Sequence, residues 1–264
     1  MIIYRLHKLQ PAYSGFKQAA LLLVLCTVFH SPSWAQAPMD ILVDEWPPYH
    51  YLNKNNQVSG FASDVFSAVM GEMGIPFTLT LEPFDSVLSK VKEGKVHGSF
   101  LAAEDENRRS FAYFSNEVLY ESEWVLLSRK SQGTPIKKYS DLAGLSVGVV
   151  KNYIYSPDFL AGTKANNVLL MRNASDSLNY QMLFMGKVKY ITGEKDNSLW
   201  YLKRNNLQDN IQVVPEFVIA RNPLYFIWSK KRSSQAFADR FAMFLKDFKK
   251  TPKFKELLKS YMAR

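Results

Sequence analysis

Two adjacent arginines, Arg108 and Arg109, are the residues of this sequence best suited by type and position to hold an anion. They come shortly after an apolar run at 98–103, and an aromatic, strand-like segment follows them through Phe114. A planar guanidinium can hold a carboxylate through two parallel hydrogen bonds, a geometry that a lysine ammonium cannot offer. The pattern predicts a carboxylate-binding arginine on a loop at the end of a strand. The alternative is a pair of solvated surface charges.

A tryptophan followed by two prolines is the second feature that could take part in binding. The prolines hold the loop extended and stiff, which fixes the directions of the flanking rings, Trp46 and Tyr49. A rigid indole after a strand offers a stacking face for an apolar or cationic group of a ligand. The alternative is that Trp46 only covers the end of a sheet.

Short strand-like segments alternate with amphipathic helical ones over most of the chain. The predicted strands are 39–43, 77–81, 97–101, 123–128, 145–150, 168–171, 189–192, 211–218 and 224–229. The predicted helices begin at the N-caps Ser63, Asp85 and Ser175, or cover 198–203, 233–249 and 252–262. This alternation predicts an α/β fold in which mostly parallel sheets are flanked by helices.

The alternating pattern starts again near residue 130, which predicts two lobes. In open α/β sheets a ligand lies beyond the carboxyl ends of the strands, so two facing lobes would hold it in the cleft between them. The arginine pair follows a predicted strand and is therefore expected at such an end.

The N-terminal segment has the pattern of a secretory signal. Three basic residues precede an apolar run at 19–29, and small residues follow it. Residues 1–35 are therefore predicted to be a signal peptide, cleaved after Ala35 or Ala37, and the exported chain is expected in the periplasm. The apolar run is too short to span a bilayer, and a short membrane anchor is the alternative.

Composition argues against several classes of function. Cys26, the only cysteine, lies in the apolar run, so the exported chain has no disulfide framework. The formal charge is +9, and removal of three basic signal residues leaves +6 (9 − 3). Much of the excess is a lysine series at 246–259 with the spacing of a solvated helix face, so no nucleic-acid partner is expected. The pattern of histidines and the lack of nucleophile or phosphate-loop motifs predict neither a metal nor a cofactor.

Several short motifs occur in a fixed order along the chain. They are Trp46-Pro-Pro-Tyr49, Gly60-Phe61 before Asp64, Gly94-Lys-Val-His97, Asn107-Arg108 followed by Phe114-Ser115, the segment 139–149, and Gly186-Lys-Val-Lys189. Their order and spacing resemble the extracytoplasmic solute-binding proteins of family 3, which serve ABC importers of polar amino acids. The resemblance implies a periplasmic-binding-protein-like fold of two lobes joined by two hinge strands. It places 38–128 and 219–264 in lobe 1 and 129–218 in lobe 2, in a chain expected to be a monomer.

The resemblance also implies roles for individual residues. Arg108 falls on the arginine that grips the α-carboxylate of a ligand, and Glu194 falls on the acid that receives its α-ammonium. Trp46 falls on the aromatic residue that covers the ligand side chain, and Tyr49, in the same loop, is expected beside it. Arg109 falls on a variable neighbour.

Three further predicted site residues depart from the family pattern. Phe100 and Ala103 stand, with Leu101, where small hydroxyl residues usually help to hold the carboxylate. Tyr153 stands in the segment 152–154, where the family has glycine followed by threonine or serine. The implied pocket is more aromatic and poorer in hydroxyl groups than is usual in the family.

These features together predict a periplasmic solute-binding protein and not an enzyme. It would capture a small carboxylate-bearing solute, an amino acid or a derivative, in the interlobe cleft and deliver it to an ABC importer. The expected partners are the small molecule and a membrane permease or receptor. Two alternatives stay open: a standalone sensor module that docks on a membrane receptor, and a dehydratase-type enzyme on the same fold.

Overall fold

The computed structural model describes residues 37–132, 135–151 and 153–262; the predicted signal peptide lies outside these ranges. Residues Pro38–Arg264 form one compact unit. Its strands are β1 (Met39–Val43), β2 (Tyr51–Leu52), β3 (Val58–Ser59), β4 (Phe77–Leu81), β5 (Gly98–Ala103), β6 (Ala112–Phe114), β7 (Tyr120–Arg129), β8 (Ser146–Val150), β9 (Leu169–Asn173), β10 (Tyr190–Glu194) and β11 (Ile211–Ser229). Its helices are α1 (Phe61–Met73), α2 (Phe84–Glu93), α3 (Glu106–Phe111), α4 (Pro157–Ala165), α5 (Asp176–Phe184), α6 (Lys195–Arg204), α7 (Gln235–Phe248) and α8 (Pro252–Met262).

Nine strands form one sheet in the order β4-β1-β5-β11-β7-β10-β8-β9, with β6 added beside β11. β1 pairs in parallel with β4 and β5, and β8 pairs in parallel with β9 and β10. β7 and β11 lie between these two parallel groups and pair with each other in antiparallel orientation. The predicted α/β fold, two mostly parallel groups joined by two strands, is confirmed.

β11 is a single strand of 19 residues, where the sequence predicted two. The segment 221–223 has the composition of a turn, but it pairs with 121–123 of β7 and continues the ladder. Register shifts between Val213 and Val218 accommodate Pro215, which has no N–H to donate. The prediction of two strands was wrong because pairing with β7 outweighs the local turn signal.

Each parallel group has its own hydrophobic core. The largest cluster joins β1 and β5 to α1, α7 and α8, and Phe66 of α1 stacks on Phe241 of α7 with ring centroids 5.9 Å apart. A second cluster joins Trp124 of β7 to β8, α4 and the first half of β11. The C-terminal helices therefore cover the strands that begin the chain, while the residue boundaries of the two lobes stay predictions. In the ranges that the structure describes, no helix is long and apolar enough to cross a membrane.

Two predicted helix starts were wrong by a few residues. α1 begins at Phe61, so Ser63 lies inside it, and α2 begins at Phe84, so Asp85 lies inside it. Neither helix has a side-chain cap. Gly60 precedes α1 with φ at 129°, a conformation that favours glycine. Backbone geometry, which a search for capping side chains does not detect, therefore sets the start of α1.

Gly60→Ala should destabilise the protein by more than about 1 kcal/mol, because alanine resists a positive φ. Its Cβ would also lie 2.5 Å from the carbonyl oxygen of Tyr49. Urea unfolding measures the change. Gly71→Ala is the matched control: nothing lies within 4 Å of its Cβ position in α1, so this change should stabilise by about 1 kcal/mol. Equal effects of the two substitutions would contradict the explanation.

Candidate functional site

Arg108 lies in α3, a helix of six residues, and not in a loop as predicted. Asp105 caps this helix, and its carboxylate accepts a hydrogen bond from the N–H of Arg108 at 2.7 Å. The cap explains the helix, since a side-chain acceptor satisfies an N–H that has no partner in the first turn. Arg108 nevertheless lies shortly after the end of β5, so the prediction that it follows the end of a strand agrees with the structure.

The guanidinium of Arg108 is buried, with the residue 6% exposed, and it is held on three sides. Nη1 donates a hydrogen bond to the carbonyl oxygen of Ala103 at 2.7 Å, and Nε lies 3.3 Å from the carboxylate of Asp105. The guanidinium carbon lies 5.3 Å from the ring centroid of Phe84. Burial lowers the pKa of Arg108, and Asp105 opposes this shift. Nη2 makes no hydrogen bond to the described residues, which leaves one edge of the guanidinium for a ligand.

Arg108 lines a small cavity of about 60 Å³ that is partly open to solvent. The other lining residues are Asp44, Trp46, Phe84, Leu101, Ala103, Trp124, Tyr153, Ile154, Asn222 and Leu224. Most of them are apolar or aromatic, and a few polar groups converge on the space, as is typical of a small-molecule site. Trp124, Asn222 and Leu224 come from β7 and β11, so the two central strands form part of the wall.

Four of the seven predicted site residues line this cavity: Trp46, Ala103, Arg108 and Tyr153. Tyr49, Phe100 and Glu194 are not among its lining residues. Phe100 is 2% exposed and lies in the core instead, its ring centroid 5.3 Å from that of Phe66. The binding roles of all seven stay predictions.

The backbone at Leu101 explains why neighbouring residues of β5 have different environments. Leu101 has φ at 61°, which is unusual for a branched residue. The register between β5 and β11 shifts here, since Phe226 pairs with Phe100 and Tyr225 with Ala102. With this extra residue both side chains lie in the same hydrophobic cluster, but only Leu101 also lines the cavity.

Trp46 contacts both halves of the structure. Its partly buried side chain packs against the hydrophobic clusters of both parallel groups. Its ring centroid lies 5.0 Å from that of Tyr49 and 6.4 Å from that of His50, and both of these residues are fully buried. The indole therefore lines the cavity while Tyr49 supports it from the core.

Glu194 is buried and caps α6. Its Oε2 accepts a hydrogen bond from the N–H of Asn197 at 2.9 Å, while Oε1 has no hydrogen-bond partner among the described residues. Burial raises the pKa of Glu194 to about 8, although the N–H of Asn197 and the nearby hydroxyl of Tyr49 lower it. That hydroxyl affects the pKa of the carboxyl, but it makes no hydrogen bond to the described residues. The raised pKa therefore favours the protonated, neutral form of Glu194 at pH 7.

The loop that carries Trp46 is tied to the start of α6. Asn197 Nδ2 donates a hydrogen bond to the carbonyl oxygen of Pro47 at 2.5 Å. The hydroxyl of Tyr120, at the start of β7, donates to the carboxylate of Asp196. These contacts join the two parallel groups beside the cavity, so the groups touch here as well as through the central strands.

Two acidic residues near the cavity were not predicted as site residues. Asp44 lines the cavity directly after β1, and Asp176, the first residue of α5, accepts a hydrogen bond from the hydroxyl of Tyr153 at 2.8 Å. Burial raises the pKa of Asp176 to about 6; Tyr153 lowers it and the charge of Asp44 raises it. Burial also raises the pKa of Asp44. Both acids follow the carboxyl end of a parallel strand, which is the sequence signal that could have identified them.

The cavity continues into a wider groove that shares Asp44, Trp46, Phe84 and Tyr153 with it. The groove is also lined by the acids Glu45, Asp85 and Asp176 and by the bases Lys151 and Arg204, so acids outnumber bases by four to two. Arg108 lines the cavity but not the groove. A buried arginine at the cavity next to an acidic groove suits a solute that carries both charges. Within the described ranges, no group of His, Cys, Asp or Glu could hold a metal ion.

Comparisons with known proteins agree with this fold. The model of the bacterial extracellular solute-binding proteins, family 3, matches residues 40–264. The arginine-binding protein ArgT of Corynebacterium glutamicum is 22% identical over 183 residues, 66% of this chain and 59% of that protein. The ABC transporter arginine-binding protein 1 of Escherichia coli is 26% identical over 104 residues, 39% of this chain and 42% of that protein. The chain thus matches less than two thirds of either relative.

Solved structures are similar over nearly their whole length. An ancestral arginine-binding protein bound to arginine has a TM-score of 0.73 at 19% identity, covering 86% of this chain and 99% of that one. A histidine kinase sensor domain similar to periplasmic binding proteins also has a TM-score of 0.73, at 18% identity and covering 87% and 97%. An ancestral amino acid-binding protein, a precursor of cyclohexadienyl dehydratase, has a TM-score of 0.68 at 18% identity, covering 85% and 95%. At these identities the likeness establishes the fold alone.

Glu194→Gln should flatten the dependence of stability on pH between about pH 6 and 8. The pKa of Glu194 is raised from 4.5 to about 8. Between these values the folded protein holds a proton that the unfolded chain has lost, so the free energy of unfolding falls as the pH rises. Glutamine does not titrate. Urea unfolding across this pH range measures the slope, and the exposed Glu72→Gln is the control. If Glu194→Gln kept the wild-type dependence of the free energy of unfolding on pH, the group that takes up this proton would not be Glu194.

Proposed function

The chain belongs to the bacterial extracellular solute-binding proteins of family 3, and from this membership we propose that it captures a small carboxylate-bearing solute, an amino acid or a derivative, beside Arg108. The observation that carries the proposal is the buried guanidinium of Arg108, which lines the cavity and is held by Ala103, Asp105 and Phe84 while its Nη2 makes no hydrogen bond to the described residues. A side chain fixed before the ligand arrives loses little rotamer freedom on binding.

We infer that the solute also carries a positive group. Asp44 and Asp176 both have a raised pKa at the groove, since burial disfavours their charged forms and the charge of Asp44 adds to the shift at Asp176. A ligand ammonium or guanidinium would relieve that repulsion. The named relatives are arginine-binding proteins, and a basic amino acid would place its carboxylate at Arg108 and its cation at these acids. Trp46 and Tyr153 line both spaces and would enclose the chain between the charges.

Delivery to an ABC importer is the first candidate for the step after capture, and it is the role that the name of the Escherichia coli relative supports. Signalling is the second, because the sensor domain of a histidine kinase is as similar in structure as the arginine-binding protein. Uptake of labelled solute by cells separates them. Loss of the gene abolishes uptake if the protein serves an importer, and leaves uptake intact while a transcriptional response disappears if it serves a receptor. The bound solute is expected to be recovered unchanged, since the named relatives are binding proteins.

Arg108→Ala should weaken binding of the best carboxylate ligand by roughly 10- to 100-fold, since a charge-assisted hydrogen bond is worth about 1.5–3 kcal/mol. Arg108→Lys should recover part of the loss, because lysine keeps the charge but not the paired geometry. Calorimetric titration of a panel of amino acids measures this. Arg109→Ala is the control, because the side chain of Arg109 is 61% exposed and pairs with Glu104. Unchanged affinity in Arg108→Ala would refute the carboxylate site.

Asp176→Asn should weaken binding of arginine or lysine by about tenfold and leave glutamine nearly unaffected, because only the cationic ligands use its charge. In the wild type, affinity for the cationic ligands should fall as the pH drops through about 6, where Asp176 takes up a proton. The variant should lose that pH dependence. Titrations at several pH values measure both effects, with the exposed Asp158→Asn as the control. Equal losses for arginine and glutamine would contradict a cation site.

A further inference from the structure

An exposed apolar patch runs along one outer edge of the sheet, away from the cleft. It consists of Leu169 and Met171 on β9 and of Leu178, Met182 and Met185 on α5 or at its end. We call these five residues the outer-edge patch. All but Met182 are between 36% and 60% exposed. Single exposed apolar residues are ordinary, whereas a contiguous group marks a contact surface.

The five side chains share one surface because of the geometry of β9 and α5. Asn173 of β9 donates a hydrogen bond from Nδ2 to the side-chain oxygen of Asn179 on α5 at 2.6 Å. Alternate residues of a strand share a face, so Leu169 and Met171 point to the same side as Asn173, towards α5. On α5 the apolar members are spaced i, i+4 and i+7, which places them in one stripe along the helix.

No other described element covers this edge. β9 is the last strand of the sheet and pairs only with β8. Phe184, 55% exposed, adjoins the patch at the turn that ends α5. Arg129 fixes this turn by donating a hydrogen bond from Nη1 to the carbonyl oxygen of Leu183 at 3.0 Å.

The charged residues next to one end of the patch are basic. Lys187 and Lys189 follow Met185 along the chain, and the N–H of Lys189 donates a hydrogen bond to the carbonyl oxygen of Ser146, which pairs with Leu169. Asp176 lies at the end of α5 that lines the groove, where it accepts a hydrogen bond from the hydroxyl of Tyr153. Met185 is nine residues further on, about 13 Å along the helix axis. The end of the patch furthest from the cleft is thus apolar and positive.

We propose that the outer-edge patch rests on an anionic lipid bilayer. Leucine, methionine and phenylalanine side chains can enter the interfacial layer while lysines meet the negative headgroups, and this pairing is what surface-bound proteins use. Charge disfavours a second copy of the chain, because facing patches would bring like charges together. A protein partner would need anchors seated in pockets, whereas these flexible side chains are spread over a strand and a helix. Bound in this way, the protein would keep its cleft open to solvent.

Vesicle sedimentation tests the proposal with residues 38–264, the compact unit without the apolar N-terminal run. The wild type should sediment with vesicles of equal parts phosphatidylglycerol and phosphatidylcholine and not with phosphatidylcholine alone. Leu169→Ser with Met185→Ser should reduce the bound fraction by roughly fivefold, and Lys187→Glu with Lys189→Glu should do the same.

Matched controls separate this surface from general basic charge. Met243, 57% exposed on α7, gives the apolar control Met243→Ser. Lys253→Glu with Lys255→Glu, on α8, gives the charge control. Controls that lose as much binding as the patch variants would overturn the proposal, as would a wild type that ignores anionic vesicles. Sedimentation velocity adds a further check: a dimer that the patch variants dissociate would assign the surface to self-association instead.

Discussion

The antiparallel pairing of β7 with β11 is the interaction on which the rest of the structure depends. The two strands lie between the parallel groups, and β11 continues past β7 to pair with β5 and β6. Any movement of one parallel group relative to the other must bend or twist this shared pair of strands, which limits how far the other contacts between the groups can change. Because Trp124 and Leu224 stand on these strands, the cavity wall is part of the same element that connects the two halves. The backbone hydrogen bonds between β7 and β11 therefore both join the two parallel groups and hold part of the cavity wall in place.

The charged residues near that wall have two different roles: some are available to a ligand, and others only stabilise the fold. Arg108 is buried but keeps one edge of its guanidinium for a ligand, whereas Glu194 is buried, neutral and used to start α6. A buried ionised carboxyl without a cation would cost several kcal/mol, so the raised pKa is the expected response. Among the four acids that line the groove, Asp44 and Asp176 are the two whose pKa burial raises, and both lie where a cation could approach.

Much of this arrangement could be predicted from sequence because it follows from local patterns. Ser175 caps α5, as expected, because a hydroxyl before a helical stretch is a local signal. Arg108 could be placed near a strand end because an apolar run precedes it. Phe100 and Glu194 were harder to place, because the direction of each side chain depends on tertiary contacts. A register shift against β11 sets the direction of Phe100, and the packing of α6 on the loop at Pro47 encloses Glu194.

The left-handed backbone at Leu101 has a consequence for the energetics of recognition. A branched residue in this conformation costs about 1–3 kcal/mol, and the folded scaffold bears that cost whether or not a solute is present. The wall formed by Leu101 and Ala103 is therefore already ordered before a solute binds. Binding loses no conformational entropy in this part of the cavity. Substitutions that change which solute binds would therefore alter the shape of this wall less easily than that of the groove, where the side chains are half-exposed.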